Sequence, residues 1–264
     1  MYDYHSHSDF SDDCTTPLRD MVRAAVTAGI RELAVTDHYD PDYPDRNFPF
    51  ELDFSAYHKG LEEVEKEFSD RIRIVKGIEI GIQHGDTNQK CRETAAAYPY
   101  DFIIGSFHCT GGQDLYTEYF KTRSDEDGVA EFYEYVYQGI RDFQDFDVLG
   151  HINVIDRYVK QIPDYKPYME TIEAILKELI TLGKGIEINT SSFRYGMNGR
   201  TTPSSEILTL YKDLGGEIIT YGSDAHRESH LGYRYKEAME ILQHHGFRYL
   251  ATFRERKCTP ILIR

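Results

Sequence analysis

Histidine and carboxylate residues in this sequence recur at spacings that would let them bind metal ions. The first case lies near the start, where His5 and His7 are separated by one serine. In an extended strand, side chains two positions apart point to the same face, so both imidazoles would converge on one point. Two converging imidazoles can bind one transition-metal ion. Asp12 and Asp13 follow in a polar, turn-prone segment, and either carboxylate could return as a third ligand.

Further polar residues of the same kinds follow, each at the end of a predicted strand. They are His38, Glu79, His108, His151, Asn189, Asp224 and His226. Each could have an ordinary structural role, such as capping a loop or forming a buried hydrogen bond. Independent caps would not be expected to repeat at strand after strand, with a second pair separated by one residue at Asp224 and His226. The pattern therefore indicates a site that binds several metal ions.

The segments that carry these residues alternate between strand patterns and helix patterns. Strand patterns occur at 2–7, 30–36, 72–80, 101–106, 146–150, 185–189 and 217–221. Amphipathic helix patterns lie between most of them, for example at 54–68 and 167–182. The helix after the first strand is predicted to begin with Thr16 as its N-cap. Seven such units in 264 residues predict an α/β fold, a closed TIM-like barrel of parallel strands.

A barrel places the carboxyl ends of all its parallel strands on one face, where enzymes of this architecture hold their active sites. A doubly wound sheet would collect functional residues only near the point where its strand order reverses. Because the predicted ligands occur around the whole series of strands, the barrel is favoured. In a closed barrel the first and seventh strands are neighbours, so His5 and His7 would face Asp224 and His226.

The composition limits the classes of protein that this sequence can encode. A formal net charge of -15 argues against a non-specific nucleic-acid surface, which needs lysine and arginine to neutralise phosphates. No apolar run is long enough for a membrane span, and the histidine pair near the start leaves no room for a signal peptide. The four cysteines are scattered, as fits a reducing cytosol. We therefore expect one domain, residues 1–264, in the cytoplasm, without nucleic-acid or membrane partners.

The ordered motifs resemble those of the PHP (polymerase and histidinol phosphatase) family over nearly the whole chain. They are His5-Ser-His7, Thr36-Asp37-His38, Gly77-Ile-Glu79, Ser106-Phe-His108, Gly150-His151 and Gly222-Ser-Asp224-Ala-His226. Further matches resemble the histidinol-phosphatase branch, and they are the segment 187–194, the helix start at Thr202, Arg157 and the short apolar tail at 260–263. The resemblance implies a distorted TIM-like (β/α)7 barrel with a trinuclear metal centre.

The resemblance also implies which residues hold each metal ion. The first ion would be held by His5, His7, Glu79 and Asp224, the second by Glu79 as a bridging ligand with His108 and His151, and the third by Asp13, His38 and His226. Asp12 stays open as an alternative to Asp13, since some family members use a carboxylate one position earlier. Mixed nitrogen and oxygen ligands suit three divalent transition-metal ions and do not choose among zinc, iron and manganese.

Such a centre would hydrolyse phosphate esters. A water bridging two metals would have its pKa lowered toward ~7, and the resulting hydroxide would attack phosphorus. We expect Glu79, Asp224 and His226 to be catalytic, and Arg157 and Arg194 to bind the phosphate through bidentate contacts. The proton for the leaving alkoxide could come by way of Asp224 or a metal-bound water. The resemblance implies L-histidinol phosphate as the small phosphorylated substrate, and hence a role in histidine biosynthesis.

Selection of the substrate must come from loops above the strand ends. Three loops are long enough to contribute, at 39–50, 109–125 and 190–201, and the first two carry many acidic residues and tyrosines. In the second loop, Asp114 and Glu118 could receive the positive charge of an amine or imidazole. The same composition fits ordinary solvated loops, so the choice of substrate rests mainly on the resemblance.

Four other functions are alternatives to hydrolysis of L-histidinol phosphate. A phosphatase for another small phosphomonoester or for phosphotyrosine would use the same metal ligands. A barrel of the amidohydrolase type also begins with His-x-His, but it commonly has a bridging lysine where this chain has Glu79. A nucleic-acid-processing module is opposed by the acidic charge, and a non-catalytic metal-binding regulator would be expected to have lost ligands. The sequence makes no prediction of oligomeric state.

Overall fold

Strands and helices alternate along residues 1–161, 163–197 and 199–263, the parts of the chain that the computed structural model describes. The strands are β1 (Tyr2–Asp3), β2 (Glu32–Val35), β3 (His38–Tyr39), β4 (Arg73–Gly81), β5 (Phe102–Ser106), β6 (Cys109–Thr110), β7 (Gln113–Asp114), β8 (Val148–Leu149), β9 (Gly185–Asn189), β10 (Ile219–Gly222), β11 (Tyr249–Arg254) and β12 (Lys257–Leu262). The α-helices are α1 (Leu18–Thr27), α2 (Phe54–Phe68), α3 (Thr87–Ala97), α4 (Asp125–Asp142), α5 (Met169–Thr181), α6 (Ser205–Asp213) and α7 (Tyr235–His244).

Seven parallel strands form a nearly closed barrel in the order β1-β2-β4-β5-β8-β9-β10. The first and last of these strands meet, because the Tyr4 N–H donates to the Tyr221 carbonyl at 2.8 Å. The next residue after Tyr4 is His5, and its carbonyl accepts the Asp224 N–H, also at 2.8 Å. The predicted seven-stranded α/β barrel is therefore confirmed. The short strand β3 continues the line of β2 and pairs with the end of β4.

The helices cover the outside of the barrel, and all except α3 bury one apolar face. In α2 the buried residues are Tyr57, Leu61, Val64 and Phe68, which follow the three- and four-residue spacings of a helix face. Strand β4 is buried along almost its whole length, as is typical of a parallel strand covered on both faces. None of the helices in the described ranges is long and apolar enough to cross a membrane.

The antiparallel hairpin β11–β12 closes the amino-terminal end of the barrel. Phe253 packs against Tyr4 and Phe102, with ring centroids 6.3 and 4.9 Å away. The Arg256 N–H donates to the carbonyl of Asp101, immediately before β5 begins. Because the hairpin fills the end where the strands begin, the opposite end is left for the site.

Several local features differ from the sequence prediction. The strands predicted at 2–7 and 146–150 are shorter, at Tyr2–Asp3 and Val148–Leu149. Helix α1 follows Pro17 and does not use Thr16 as its N-cap, because the Asp9 side chain accepts the Leu18 N–H at 3.0 Å instead. Helix α3 was not predicted, since its sequence is polar and gives only a weak apolar face. The short apolar tail at 260–263 belongs to the second strand of a hairpin, and this strand begins at Lys257, three residues before the tail.

Candidate metal centre

The predicted ligands lie together at the carboxyl ends of the barrel strands. His5 and His7 follow β1 on the same face, with ring centroids 5.1 Å apart. Both side chains are fully buried, as is that of Glu79 near the end of β4. The structure brings together every residue that was predicted as a ligand, namely His5, His7, Asp13, His38, Glu79, His108, His151, Asp224 and His226.

Glu79 lies at the centre of this cluster. Its Oε2 is 3.1 Å from Nε2 of His5 and 3.6 Å from Nε2 of His7. Its Oε1 is 3.1 Å from Nε2 of His151 and 3.4 Å from Nε2 of His108. The two oxygens therefore face two different groups of histidines, which is the arrangement that a carboxylate bridging two metal ions requires.

Asp224 completes the group around the first histidine pair. Its Oδ1 is 3.5 Å from Nε2 of His7 and 3.9 Å from Nε2 of His5. On the other side, the Ser191 hydroxyl donates to Oδ2 at 2.9 Å. This contact fixes the carboxylate with one oxygen directed at the two imidazoles.

A third group of ligands surrounds Asp13. Its Oδ2 is 3.0 Å from Nε2 of His226 and 3.7 Å from Nε2 of His38. The neighbouring Asp12 points elsewhere, because its Oδ2 accepts the Phe50 N–H at 2.7 Å and so holds the loop before α2. Of the two carboxylates that the sequence leaves open, the geometry therefore favours Asp13.

The ligands strongly perturb one another's protonation. Burial would raise the pKa of Glu79, but the imidazoles of His5 and His38 outweigh this effect and hold its pKa well below the usual range. Burial would lower the pKa of His38, yet the carboxylates of Glu79 and Asp13 raise it to about 9. Burial and the neighbouring imidazoles lower the pKa of His7 to about 3. The carboxylates thus make a buried site that attracts positive charge.

Several buried polar atoms at the site have no hydrogen-bond partner among the described residues. They include Nε2 of His5 and of His7, Nδ1 of His38 and Oε2 of Glu79. Buried polar groups are normally paired, so several unpaired atoms around one point indicate a bound ion. Ligand atoms of His5, His7 and Glu79 lie within 4.8 Å of one another. Imidazole nitrogens and carboxylate oxygens suit transition metals, and the residues present therefore fit divalent metal binding.

Two carboxylates at the site are not predicted by the sequence pattern. Asp40 accepts the Nδ1–H of His108 at 2.6 Å, and Glu187 accepts the Nδ1–H of His5 at 2.6 Å. Both are almost completely buried. The sequence held a signal for each of these carboxylates. Asp40 lies two positions after His38, and Glu187 lies two positions before Asn189. Residues at that spacing in a strand share a face.

The two predicted phosphate-binding arginines occupy different places. The Arg157 guanidinium lines the cavity above the ligands, donates to the Ser191 hydroxyl and lies 3.6 Å from Oδ2 of Asp224. The Arg194 guanidinium donates to the carbonyls of Ser223 and Asp224 at 3.0 and 2.8 Å. Arg194 is not one of the described residues that line the cavity. Arg157 is therefore placed to meet a substrate, and Arg194 supports the loop that carries Asp224.

A cavity of about 580 Å³ opens above the ligands. Its walls include several aromatic side chains, among them Tyr43, Phe48, Phe50, Tyr116, Tyr158 and Tyr195. All three loops that were predicted to select the substrate contribute to these walls. Asp114 also lines the cavity, whereas Glu118 pairs with Lys121 at 2.7 Å and is not among the described lining residues.

The sequence and the fold are similar to those of known phosphatases. The family model described as PHP domain matches residues 3–191. The chain is 29% identical to the histidinol-phosphatase of Lactococcus lactis over 256 residues, which are 95% of this chain and 93% of that protein. It is 28% identical to a probable histidinol-phosphatase of Thermotoga maritima over 95% of both chains. A crystal structure of histidinol phosphate phosphatase from L. lactis, complexed with zinc, L-histidinol and phosphate, matches 98% of both chains with a TM-score of 0.88 and 28% identity.

Proposed function

Because the chain belongs to the PHP domain family, we propose that it is a metal-dependent phosphatase that hydrolyses L-histidinol phosphate to L-histidinol and phosphate. The observation that carries this proposal is the likeness to the L. lactis histidinol phosphate phosphatase, which holds zinc, L-histidinol and phosphate. That likeness extends over 98% of this chain, so it includes the barrel, the ligand cluster and the loops above them. The name of that relative supports the further proposal of a role in histidine biosynthesis.

We assign the metal ligands to the groups that lie together in the structure. His5, His7, Glu79 and Asp224 would hold the first ion, Glu79, His108 and His151 the second, and Asp13, His38 and His226 the third. The distances from Glu79 to the histidines of the first two groups support its role as the shared ligand. Three divalent ions, zinc, iron or manganese, are consistent with these nitrogen and oxygen donors.

The residues of the chain have distinct roles in the proposed reaction. When bound, divalent cations supply a water that ionises near neutral pH, and they neutralise charge on the phosphate. The Arg157 guanidinium on the cavity wall orients the phosphate through paired contacts with its oxygens. Asp224 and His226 line the same cavity, and the leaving alkoxide would receive its proton by way of Asp224 or a metal-bound water. Direct contact of Arg194 with the phosphate stays a prediction.

The aromatic walls support an aromatic and cationic alcohol as the other part of the substrate. Ring faces can stack on an imidazole and attract an ammonium group. Tyr43 and Phe50 from one loop and Tyr195 from another line the cavity. The acidic side chain of Asp114 lies in the same cavity and adds to the attraction for positive charge.

We also propose that residues 1–264 form a single PHP-type domain. The Ser223 N–H donates to Oδ1 of Asp3 at 2.9 Å, although these residues lie 220 positions apart. Such pairing ties the start of the chain to its last barrel strand, and a domain boundary between them would break it. The cytoplasmic location stays a prediction.

The substrate assignment is tested by comparing phosphate release from several esters. We expect kcat/KM for L-histidinol phosphate to exceed that for phosphotyrosine, nucleoside monophosphates and p-nitrophenyl phosphate by at least about tenfold, or ~1.4 kcal/mol of transition-state binding. The reason is that the loop residues would contact the histidinol part of the substrate, and each of the other esters carries a different alcohol or phenol. Similar values across the panel would replace this proposal with a general phosphomonoesterase, and a lead for phosphotyrosine would favour a tyrosine phosphatase.

The role of Arg157 is tested by substitution. We expect Arg157→Ala to lower kcat/KM by roughly one to two decades, because one charge-assisted contact contributes about 1.5–3 kcal/mol. Metal content, measured by elemental analysis, should stay at the wild-type value. Arg71→Ala is the matched control, since Arg71 lies on the surface beside Asp70. Unchanged kinetics in Arg157→Ala would mean that this side chain serves only to hold Ser191.

A further inference from the structure

Glu187 is a buried carboxylate directly behind the proposed ligands. It lies in β9, and its side chain is 1% exposed. Its Oε1 accepts the Nδ1–H of His5 at 2.6 Å. Its Oε2 accepts the backbone N–H of His151 at 3.0 Å and the side-chain amide of Asn189 at 3.1 Å. Because the protein engages both oxygens, Glu187 is not itself available as a metal ligand.

The hydrogen bond from His5 to Glu187 decides which ring nitrogen can bind a metal ion. A neutral imidazole carries one proton, and a carboxylate beside Nδ1 keeps the proton on that nitrogen. The lone pair then lies on Nε2, which is buried and has no hydrogen-bond partner among the described residues. This Nε2 is 3.1 Å from Oε2 of Glu79. Glu187 thus directs the free nitrogen of His5 into the ligand cluster.

Gly222 leaves the space that the Glu187 carboxylate occupies. It pairs with Asn189 where β10 lies beside β9. A Cβ atom at this position would lie 1.9 Å from Oε1 of Glu187 and 2.6 Å from Cβ of His5. Atoms do not approach so closely, so any side chain here would displace the carboxylate or the imidazole. The glycine therefore permits a close contact between β10 and the groups behind the ligands.

We infer that Glu187 is a positioning residue that sets the affinity of two of the three metal positions. It fixes the ring of His5, which belongs to the first position, and the main chain at His151, which belongs to the second. None of its hydrogen bonds goes to Asp13, His38 or His226, which form the proposed third position. This inference rests on the ligand assignment in the proposed function. Carboxylates that orient a metal-binding histidine typically contribute about 10–100-fold to metal affinity.

The test is a measurement of metal binding that does not depend on the substrate. The full-length protein is stripped of metal and titrated with Zn²⁺ and with Co²⁺ in competition with a chromophoric chelator. In Glu187→Gln we expect two binding steps to weaken by about 10–100-fold and the third to keep its wild-type affinity. The visible absorption of bound Co²⁺ should also change, because the orientation of His5 changes.

Two further variants separate positioning from general damage to the fold. Gly222→Ala keeps the charge of Glu187, and its added methyl group would displace the carboxylate or the His5 imidazole. We expect the second binding step, to which His5 does not belong, to weaken as well, and this weakening would mark displacement of the carboxylate. Gly222→Ala carries the test alone if Glu187→Gln does not fold. Glu32→Gln is the matched control, since this carboxylate accepts the Tyr4 hydroxyl at 2.8 Å and lies at the start of β2, near the hairpin β11–β12. Metal affinity in this variant should stay unchanged.

Two results would overturn the inference. One is a folded Glu187→Gln protein with wild-type affinities at all three steps and an unchanged Co²⁺ spectrum. The other is an equal loss of metal affinity at all three steps in both Glu187→Gln and Glu32→Gln. Glu187 would then serve only the stability of the barrel. Both results concern metal affinity and not the substrate. A failure to hydrolyse L-histidinol phosphate would therefore contradict the proposed function and leave this inference unchanged.

Discussion

Replacement of Glu79 by alanine is expected to abolish hydrolysis of phosphate esters while leaving the barrel folded. The two oxygens of this side chain face different histidine groups, at 3.1 Å from His5 and 3.1 Å from His151. A shared carboxylate holds two metal ions at the ~3.5–4 Å spacing at which both can act on one phosphate. We expect kcat/KM to fall by at least about three decades, or ~4 kcal/mol of transition-state stabilisation.

This prediction is checked by phosphate release and elemental analysis on the same Glu79→Ala sample, with circular dichroism to monitor folding. His5→Ala and Asp224→Ala should behave in the same way, since each removes a proposed ligand of the first metal position. Glu65→Ala is a suitable control, because that carboxylate lies on α2 and pairs with Lys76 at 3.3 Å, away from the cavity. A near-normal rate with full metal content in Glu79→Ala would show that the bridging assignment is wrong.

Removal of metal ions from the wild-type protein is expected to stop hydrolysis completely. Several buried ligand atoms have no partner among the described residues, so metal ions are the groups that best pair with them. The purified protein should carry two to three transition-metal ions per chain, counted by elemental analysis. Dialysis against a chelator should remove both metal and activity, and added Zn²⁺, Mn²⁺ or Fe²⁺ should restore activity. Full activity in chelator, with well under one ion per chain, would contradict the proposed function.

Local sequence patterns were sufficient to predict the barrel and the end of it that carries the polar residues. The helix at Phe54–Phe68 and the strand at Gly185–Asn189 have the predicted bounds, because their apolar patterns are strong. The alternation of side chains in strands also predicted that His5 and His7 share a face. Helix α3 escaped prediction because its polar sequence carries little of the periodic signal on which such predictions depend.

The groups behind the ligands could not be predicted because they depend on contacts between distant segments. Glu187 acts on His5, which lies 182 positions earlier, and a single sequence does not show that pairing. Long side chains pose a related difficulty. Arg157 and Arg194 both follow strand ends, but packing decides where each guanidinium points. Arg157 lies over the Tyr195 ring at 4.6 Å, while Arg194 is held by backbone carbonyls.

The closure of the barrel between β1 and β10 sets the order of events during synthesis of the protein. Asp3 finds its partner Ser223 only 220 residues later. At roughly 5–20 residues per second, the segment with His5 and His7 leaves the ribosome at least about ten seconds before the last barrel strand. Strand pairs so distant in sequence also form slowly. We therefore expect the growing chain to display an incomplete set of histidines throughout this interval, and metal loading to follow synthesis of β10 and His226.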